Sequence, residues 1–205
     1  MARPRVRDDA LRTRLLEAAS RVVADGGPGA LTVRDVAARA GTSASAVYDL
    51  FGDRSALLQA VGDEALHRFA AHLAAAPRTD DPEADLLALG IAYRSSALDD
   101  PHFYRVMFDT AGAGARSATA PATAQPTFTL LADAVVRVLR GRGVPAHLAG
   151  SSAAPAALAL WGLVHGLVQL ELADLLPGDP EARAERYAAT LRAAGPAVVA
   201  DLSRP

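Results

Sequence analysis

The chain has no cysteine, and all 21 of its basic side chains are arginine. The first absence excludes disulfides and thiolate metal sites and permits a reducing compartment without proving one. The missing lysine points to coding bias more than to function, because both residues serve as phosphate counter-charges, although they are not interchangeable at planar contacts. Runs of β-branched residues at period two are scarce, so nothing reads as a strand. Net charge is only −2, which argues against a surface that coats nucleic acid everywhere. The basic start MARPRVRDD leads into no apolar run of signal-peptide type, so a cytoplasmic chain is expected.

What is present is a 205-residue chain, 51% apolar, long enough to bury a substantial core. Its charge is unevenly spread: residues 1–54 hold nine Arg against seven acids, and 55–205 hold twelve against sixteen. Alone, that gradient only weakly favours an anion-binding N-terminal end. From Ala153 to Leu170 no residue is charged over 18 positions, the lower end of membrane-spanning length. His165, Gln169, many Ala and the lack of a flanking basic cluster favour a buried or dimer-forming helix, and no membrane partner is expected.

Apolar residues recur at helical spacing almost throughout. Leu11, Leu15, Ala18, Ala19, Val22 and Val23 define a first helix that stops at DGGPG. Thr32 can cap a short helix carrying Val33, Val36, Ala37 and Ala40; Gly41 ends it, and Thr42 or Ser43 starts the next. Two short helices about a glycine turn form the pattern of a helix-turn-helix. Asp53 opens a helix over roughly 54–76, PRTDDP breaks the pattern, and Asp81-Pro82 and Asp100-Pro101 open two more. The small, polar segment 110–125 reads as a loop. Helices follow from about 126 to 140, 152 to 174 and 180 to 202, with Gly195-Pro196 expected to kink or interrupt the last. The expectation is an all-α chain of about nine helices without internal repeats.

Residues 11–58, LRTRLLEAASRVVADGGPGALTVRDVAARAGTSASAVYDLFGDRSALL, resemble the DNA-binding domain of the tetracycline-repressor family of bacterial transcription regulators. The likeness rests on the ordered set Thr32, Val36-Ala37, Ala40-Gly41, Ser43, Val47-Tyr48, Phe51, Arg54 and Leu57-Leu58. It implies a helix-turn-helix domain over 1–54 and a larger helical regulatory domain over 55–205 that binds an effector and dimerises. Val33, Val36, Ala37, Val47, Leu50 and Phe51 would form the small core, and Ala37 and Gly41 would allow close backbone approach at the helix crossing. The resemblance assigns phosphate contacts to Thr32, Tyr48 and Arg54, where Lys is usual at the last position. Thr32 could instead only cap its helix, and Arg54 only solvate. Base reading would fall to Thr42, Ser43, Ser45 and Ala46, whose small side chains discriminate modestly. Asp49 either accepts from a cytosine amino group or pairs with Arg54, the ion pair being favoured because an unpaired acid weakens binding near phosphates. Arg3, Arg5 and Arg7 would form an arm ahead of the first helix, either reaching DNA or free of it.

WGLVHGLVQLEL (161–172), with AYRSSALDDPHFYRVMF (92–108), resembles a regulatory-domain subgroup marked by Trp, His and a following Gly, here Trp161, His165 and Gly166. Trp161, His165, Gln169 and Leu172 share a helix face. Trp161, His165 and Gln169, with Tyr93, Phe103, Tyr104, Met107, Phe108 and Phe128, could line a cavity for a small lipophilic effector, or simply pack as core. His67, His72, His102 and His147 offer His165 no ligand spacing, so no metal or other cofactor is expected. There is no nucleophile-elbow sequence, and AGAGAR (111–116) follows a helix, so an enzyme is not expected. The last two helices, through Gly162, Gly166, Ala184 and Leu191, would pair with a second copy. The expected function is a homodimeric, effector-responsive regulator, in first place a repressor, on a near-palindromic double-stranded operator. The rival is a ligand-carrying or partner-binding scaffold of the same fold without sequence-specific DNA binding.

Overall fold

The computed structural model describes residues 5–108, 123 and 125–201, with backbone alone at 5–7 and 201. Among the described residues there are nine α-helices, one 3-10 turn and no strand. They run α1 (Arg5–Gly26), the 3-10 turn Pro28–Ala30, α2 (Val33–Arg39), α3 (Ala44–Phe51), α4 (Arg54–Ala74), α5 (Pro82–Asp99), α6 (Pro101–Phe108), α7 (Pro126–Gly141), α8 (Ala146–Leu172) and α9 (Pro180–Asp201). Arg3 and nearly all of the loop expected over 110–125 lie outside the described residues. Arg5 and Arg7 do not precede the first helix, as an arm would; α1 already begins at Arg5.

Side chains placed for capping do cap. Asp53 accepts from the Ala56 N–H at 2.8 Å, Asp81 from Glu83 and Ala84 at 3.1 and 3.0 Å, and Asp179 from Ala182 at 2.9 Å. Proline occupies the first position of α5, α6, α7 and α9, where its missing N–H costs least. One helix starts earlier than expected, and another runs on where an interruption was one of the outcomes expected. α8 begins at Ala146 instead of near 152 and carries Pro155 inside it, and α9 continues through Gly195-Pro196 without a break. Both prolines are exposed, so water can take the carbonyls that each leaves without an N–H partner.

The chain divides into two compact units, and the division does not fall at residue 54. The first holds α1 to α3, α4 as far as Phe69, and α6; the second holds the rest of α4, α5 and α7 to α9. In the first unit α6 packs on α1, which places Phe103, Tyr104, Val106 and Met107 in its core beside Leu15, Ala19, Val23, Val36, Val47 and Leu57. Arg68 joins three helices there. It donates to Glu64 at 2.7 Å, lies 3.5 Å from Asp100 and 3.8 Å from Glu17, and sets its guanidinium 4.3 Å over the Phe103 ring. Burial acts to lower its pKa, but the Glu64 hydrogen bond and the three carboxylates outweigh this and raise it.

In the second unit α7 lies along α8. Val135, Val138 and Leu139 meet Ala149, Ala153, Ala156, Ala157 and Leu160, with Val199 of α9 closing the cluster. The alanine face admits α7 closely, and each fully buried Val or Leu adds about 1.5–3 kcal/mol. Gly90 of α5 performs the same service for α9: a Cβ there would meet Leu191 Cδ1 at 2.6 Å, and its carbonyl accepts from the Tyr187 hydroxyl at 2.8 Å. Leu191 is therefore committed inside its own chain, not on a face offered to a second copy. Gly162 and Gly166 differ from it, since a Cβ on either would meet nothing within 4 Å. Leu158 and Leu170 are 50% and 42% exposed, so α8 shows an uncharged apolar stripe.

Two buried ion pairs tie this unit together. Arg94 grips Glu171 with two nitrogens, Nε at 2.7 Å, and the pair's side chains are 13% and 6% exposed. Asp85 accepts from the Thr79 N–H at 2.8 Å, its hydroxyl at 2.9 Å and Arg137 Nη1 at 2.7 Å, while Arg137 also donates to the Thr79 carbonyl. The segment between α4 and α5 is thereby pinned to α7.

Candidate nucleic-acid interface

Local chemistry builds the two short helices. The Thr32 hydroxyl accepts from Asp35 N–H at 3.2 Å and begins α2. α2 ends because Gly41 takes φ +67°, which lets Gly41 and Thr42 donate back to Ala38 and Ala37 at 3.2 and 2.9 Å, the hydrogen-bond pattern of a Schellman cap. A Cβ on Gly41 would meet nothing within 4 Å. Its role is thus the left-handed conformation, and the close approach expected of it is not what the position requires. The Ser43 hydroxyl accepts from Ala46 N–H at 3.2 Å and starts α3.

On α3, Val47 is buried and Leu50 and Phe51 are partly so, with the Arg12 guanidinium 4.9 Å over the Phe51 ring. The opposite face carries Ser45, Tyr48 and Asp49, all exposed, with Ser43 ahead of them and Thr42 and Ala46 half-buried beside them. Tyr48 is 51% exposed, which is unusual for so large an apolar ring. Thr32 and Ser43 use their oxygens as acceptors for the caps, so each keeps its O–H to donate outward. The face thus offers three hydroxyl donors, a phenol and one carboxylate, with no basic side chain.

Arg54 does not pair with Asp49. Among the described residues no ion pair joins the two; Arg54 Nε donates to the Leu31 carbonyl at 2.7 Å and its Nη2 donates to that of Pro28. Arg34, exposed on the first turn of α2, is the basic neighbour that sequence reasoning passed over. Arg39 instead pairs with Asp35 at 2.9 Å.

The nine residues expected to line an effector cavity are distributed over both units. Phe103, Tyr104, Met107 and Phe108 belong to the first, where the Tyr104 and Phe108 rings lie 4.8 Å apart and Phe69 meets Phe108 edge-on at 6.0 Å. Tyr93, Phe128, Trp161, His165 and Gln169 belong to the second. There Trp161 Nε1 donates to the Tyr93 oxygen at 3.3 Å, and that hydroxyl lies 3.0 Å from His165 Nδ1. Phe128 stands edge-on to Trp161 at 6.2 Å. Among the described residues no three His, Asp or Glu side chains are grouped to hold a metal ion.

Two capped helices about a left-handed glycine, with the second showing a polar face, constitute a helix-turn-helix DNA-binding module. Residues 15–61 match the model for bacterial regulatory proteins of the tetR family, and residues 86–193 match the tetracyclin repressor-like C-terminal domain. The chain belongs to that family and is a DNA-binding transcription regulator, not an enzyme. No curated protein matches it in sequence. Solved structures share its fold. The regulator PfmR of Thermus thermophilus is 23% identical with a TM-score of 0.62, covering 91% of this chain and 97% of its own. The fatty acid degradation regulator FadR of Bacillus halodurans is 17% identical, TM-score 0.63, covering 88% and 93%. A variant TetR of Acinetobacter baumannii in complex with minocycline is 21% identical, TM-score 0.54, covering 93% and 94%.

Proposed function

We propose that this chain is an effector-responsive repressor that binds a near-palindromic operator as a homodimer in the cytoplasm. The observation that carries it is the exposed polar face of α3, held by its serine cap and backed by buried Val47. Thr42, Ser43, Ser45, Ala46 and Asp49 read bases from it, while Thr32 and Tyr48 meet phosphate oxygens with their hydroxyls. Without its ion pair, Asp49 is left as a base reader, accepting from a cytosine amino group. A face this sparing in charge binds each half-site weakly, so two copies are needed to select a site. The uncharged stripe of Leu158, Gly162, Gly166 and Leu170 on α8, next to α9, is the surface through which the copies would pair.

The effector is a small lipophilic molecule with a polar end, held by Tyr93, Phe128, Trp161, His165 and Gln169. Its class is supported by two relatives of the same fold, one a regulator of fatty acid degradation and one crystallised with minocycline. Effector binding lowers operator affinity with a coupling of roughly 1–3 kcal/mol, transmitted through α4. Selection of bound duplexes from a random pool, with and without candidate lipophilic effectors, tests the reading. Enrichment of a palindrome that an effector releases supports it, and no enrichment refutes it. The missing basic charge on α3 favours one rival, a scaffold that binds ligand but not DNA; steep loss of affinity with salt would exclude that rival.

A further inference from the structure

Arg54 stands first on α4, yet its side chain reaches back 23 residues to the turn that precedes α2. Nε and Nη2, the side-on edge of the guanidinium, are the donors best suited to grip a phosphate in two places. Here that edge is taken by the carbonyls of Leu31 and Pro28. Leu31 is fully buried, and Thr32, next to it, is the cap of α2 in an extended conformation, φ −122° and ψ 142°. No peptide bond among the described residues is cis. The Leu31 carbonyl and the Thr32 N–H therefore point opposite ways, and holding one fixes the other. Pro28 lies in the 3-10 turn that follows Gly27, whose φ of +75° gives the chain a sharp change of direction. Arg54 thus binds both ends of the connection from α1 to α2.

We propose that Arg54 is a positioning residue for operator binding: it holds the start of α2, and with it the Thr32 hydroxyl and the α2–α3 pair, in the arrangement DNA meets. The edge best suited to grip a phosphate in two places is spent on that hold. The inference rests on the regulator reading and alters one residue's part in it. A lysine keeps the charge but is a single point that cannot span two carbonyls as a planar fork does. Arg54→Lys and Arg54→Gln should then resemble each other, although only one preserves the charge.

The test uses the full chain and the duplex that the wild type selects most strongly, with folding of each variant checked by circular dichroism at the assay temperature. Affinity is measured over a range of salt, and the Arg54 Nε–H resonance is followed by NMR in free and DNA-bound protein. The expected result is a loss of at least about tenfold in operator affinity for both variants. Their salt dependence should match the wild type, and the Nε–H signal should be protected from exchange before and after DNA is added. Wild-type affinity for Arg54→Lys, with a shallower salt slope only for Arg54→Gln, would overturn the proposal in favour of a phosphate contact. Lower melting temperatures with unchanged affinity of the folded variants would overturn it too, leaving Arg54 a purely structural strut. Failure of the wild type to select any DNA would defeat the regulator reading and this inference with it, a result separable from the others because no variant is involved.

Discussion

Replacing Gly90 with alanine sets two effects of opposite sign against each other. In the interior of α5, alanine is favoured over glycine by about 1 kcal/mol. The added Cβ, however, would lie 2.6 Å from Leu191 Cδ1, closer than real side chains approach, and 3.8 Å from Val164 Cγ1. Leu191 is only 7% exposed, so it cannot swing into water, and overpacking of this kind costs about 1–3 kcal/mol. The single variant should therefore lose about 1 kcal/mol net, a drop of about 2–4 °C in melting temperature for a chain of this size. In a Leu191→Ala background, itself about 2–5 kcal/mol less stable, the clash is gone and the helix preference is left alone. The same Gly90→Ala change should there stabilise by about 1 kcal/mol. A thermal and urea double-mutant cycle followed by circular dichroism reads the sign in each background. An alanine that stabilises both backgrounds, or neither, would refute the packing account of Gly90.

Arg94→Met strands the buried Glu171 carboxylate and should cost about 3–5 kcal/mol in denaturant titration, whereas adding Glu171→Leu should restore much of it. Asp85 gives a pH signature: burial acts to raise its carboxyl, but hydrogen bonds from Thr79 and the Arg137 guanidinium outweigh this and hold it below its ordinary value. A carboxyl depressed in the folded state stabilises above its unfolded pKa, and that contribution drains away as acid carries the pH down through the folded value. The stability gap between wild type and Asp85→Asn should accordingly be full at neutrality and close only in acid; a gap independent of pH would contradict the assignment. Asp49→Asn should relax operator preference at a single base pair by about 1–3 kcal/mol if the carboxylate reads a base. Unchanged selection profiles combined with tighter non-specific binding would instead make Asp49 a plain repulsive charge.

Much of this molecule could be read from the chain because its helix boundaries are signalled by chemistry within a few residues. Asp53, Asp81, Asp179, Thr32 and Ser43 cap where short-range spacing says they should. What escaped the sequence depends on contacts between residues far apart. The reach of Arg54 to Leu31 spans 23 positions, and the Arg94 grip on Glu171 spans 77. Neither shows in periodicity, which records the face a residue occupies and not what lies opposite it. Pro196 fails to interrupt α9 for a related reason: proline argues for a break, but on a solvent face the freed carbonyl can be hydrated and the helix carries on. Leu191 likewise fits an outward stripe by spacing, and only the glycine across from it on α5 shows where it goes.

The chain contains a single tryptophan, and it sits within the Tyr93, His165 and Phe128 cluster. Excitation at wavelengths that spare tyrosine would therefore report on that cluster alone, with no background from the rest of the molecule. The protein carries its own optical gauge at the place where an effector is proposed to bind, and occupancy can be titrated without a label.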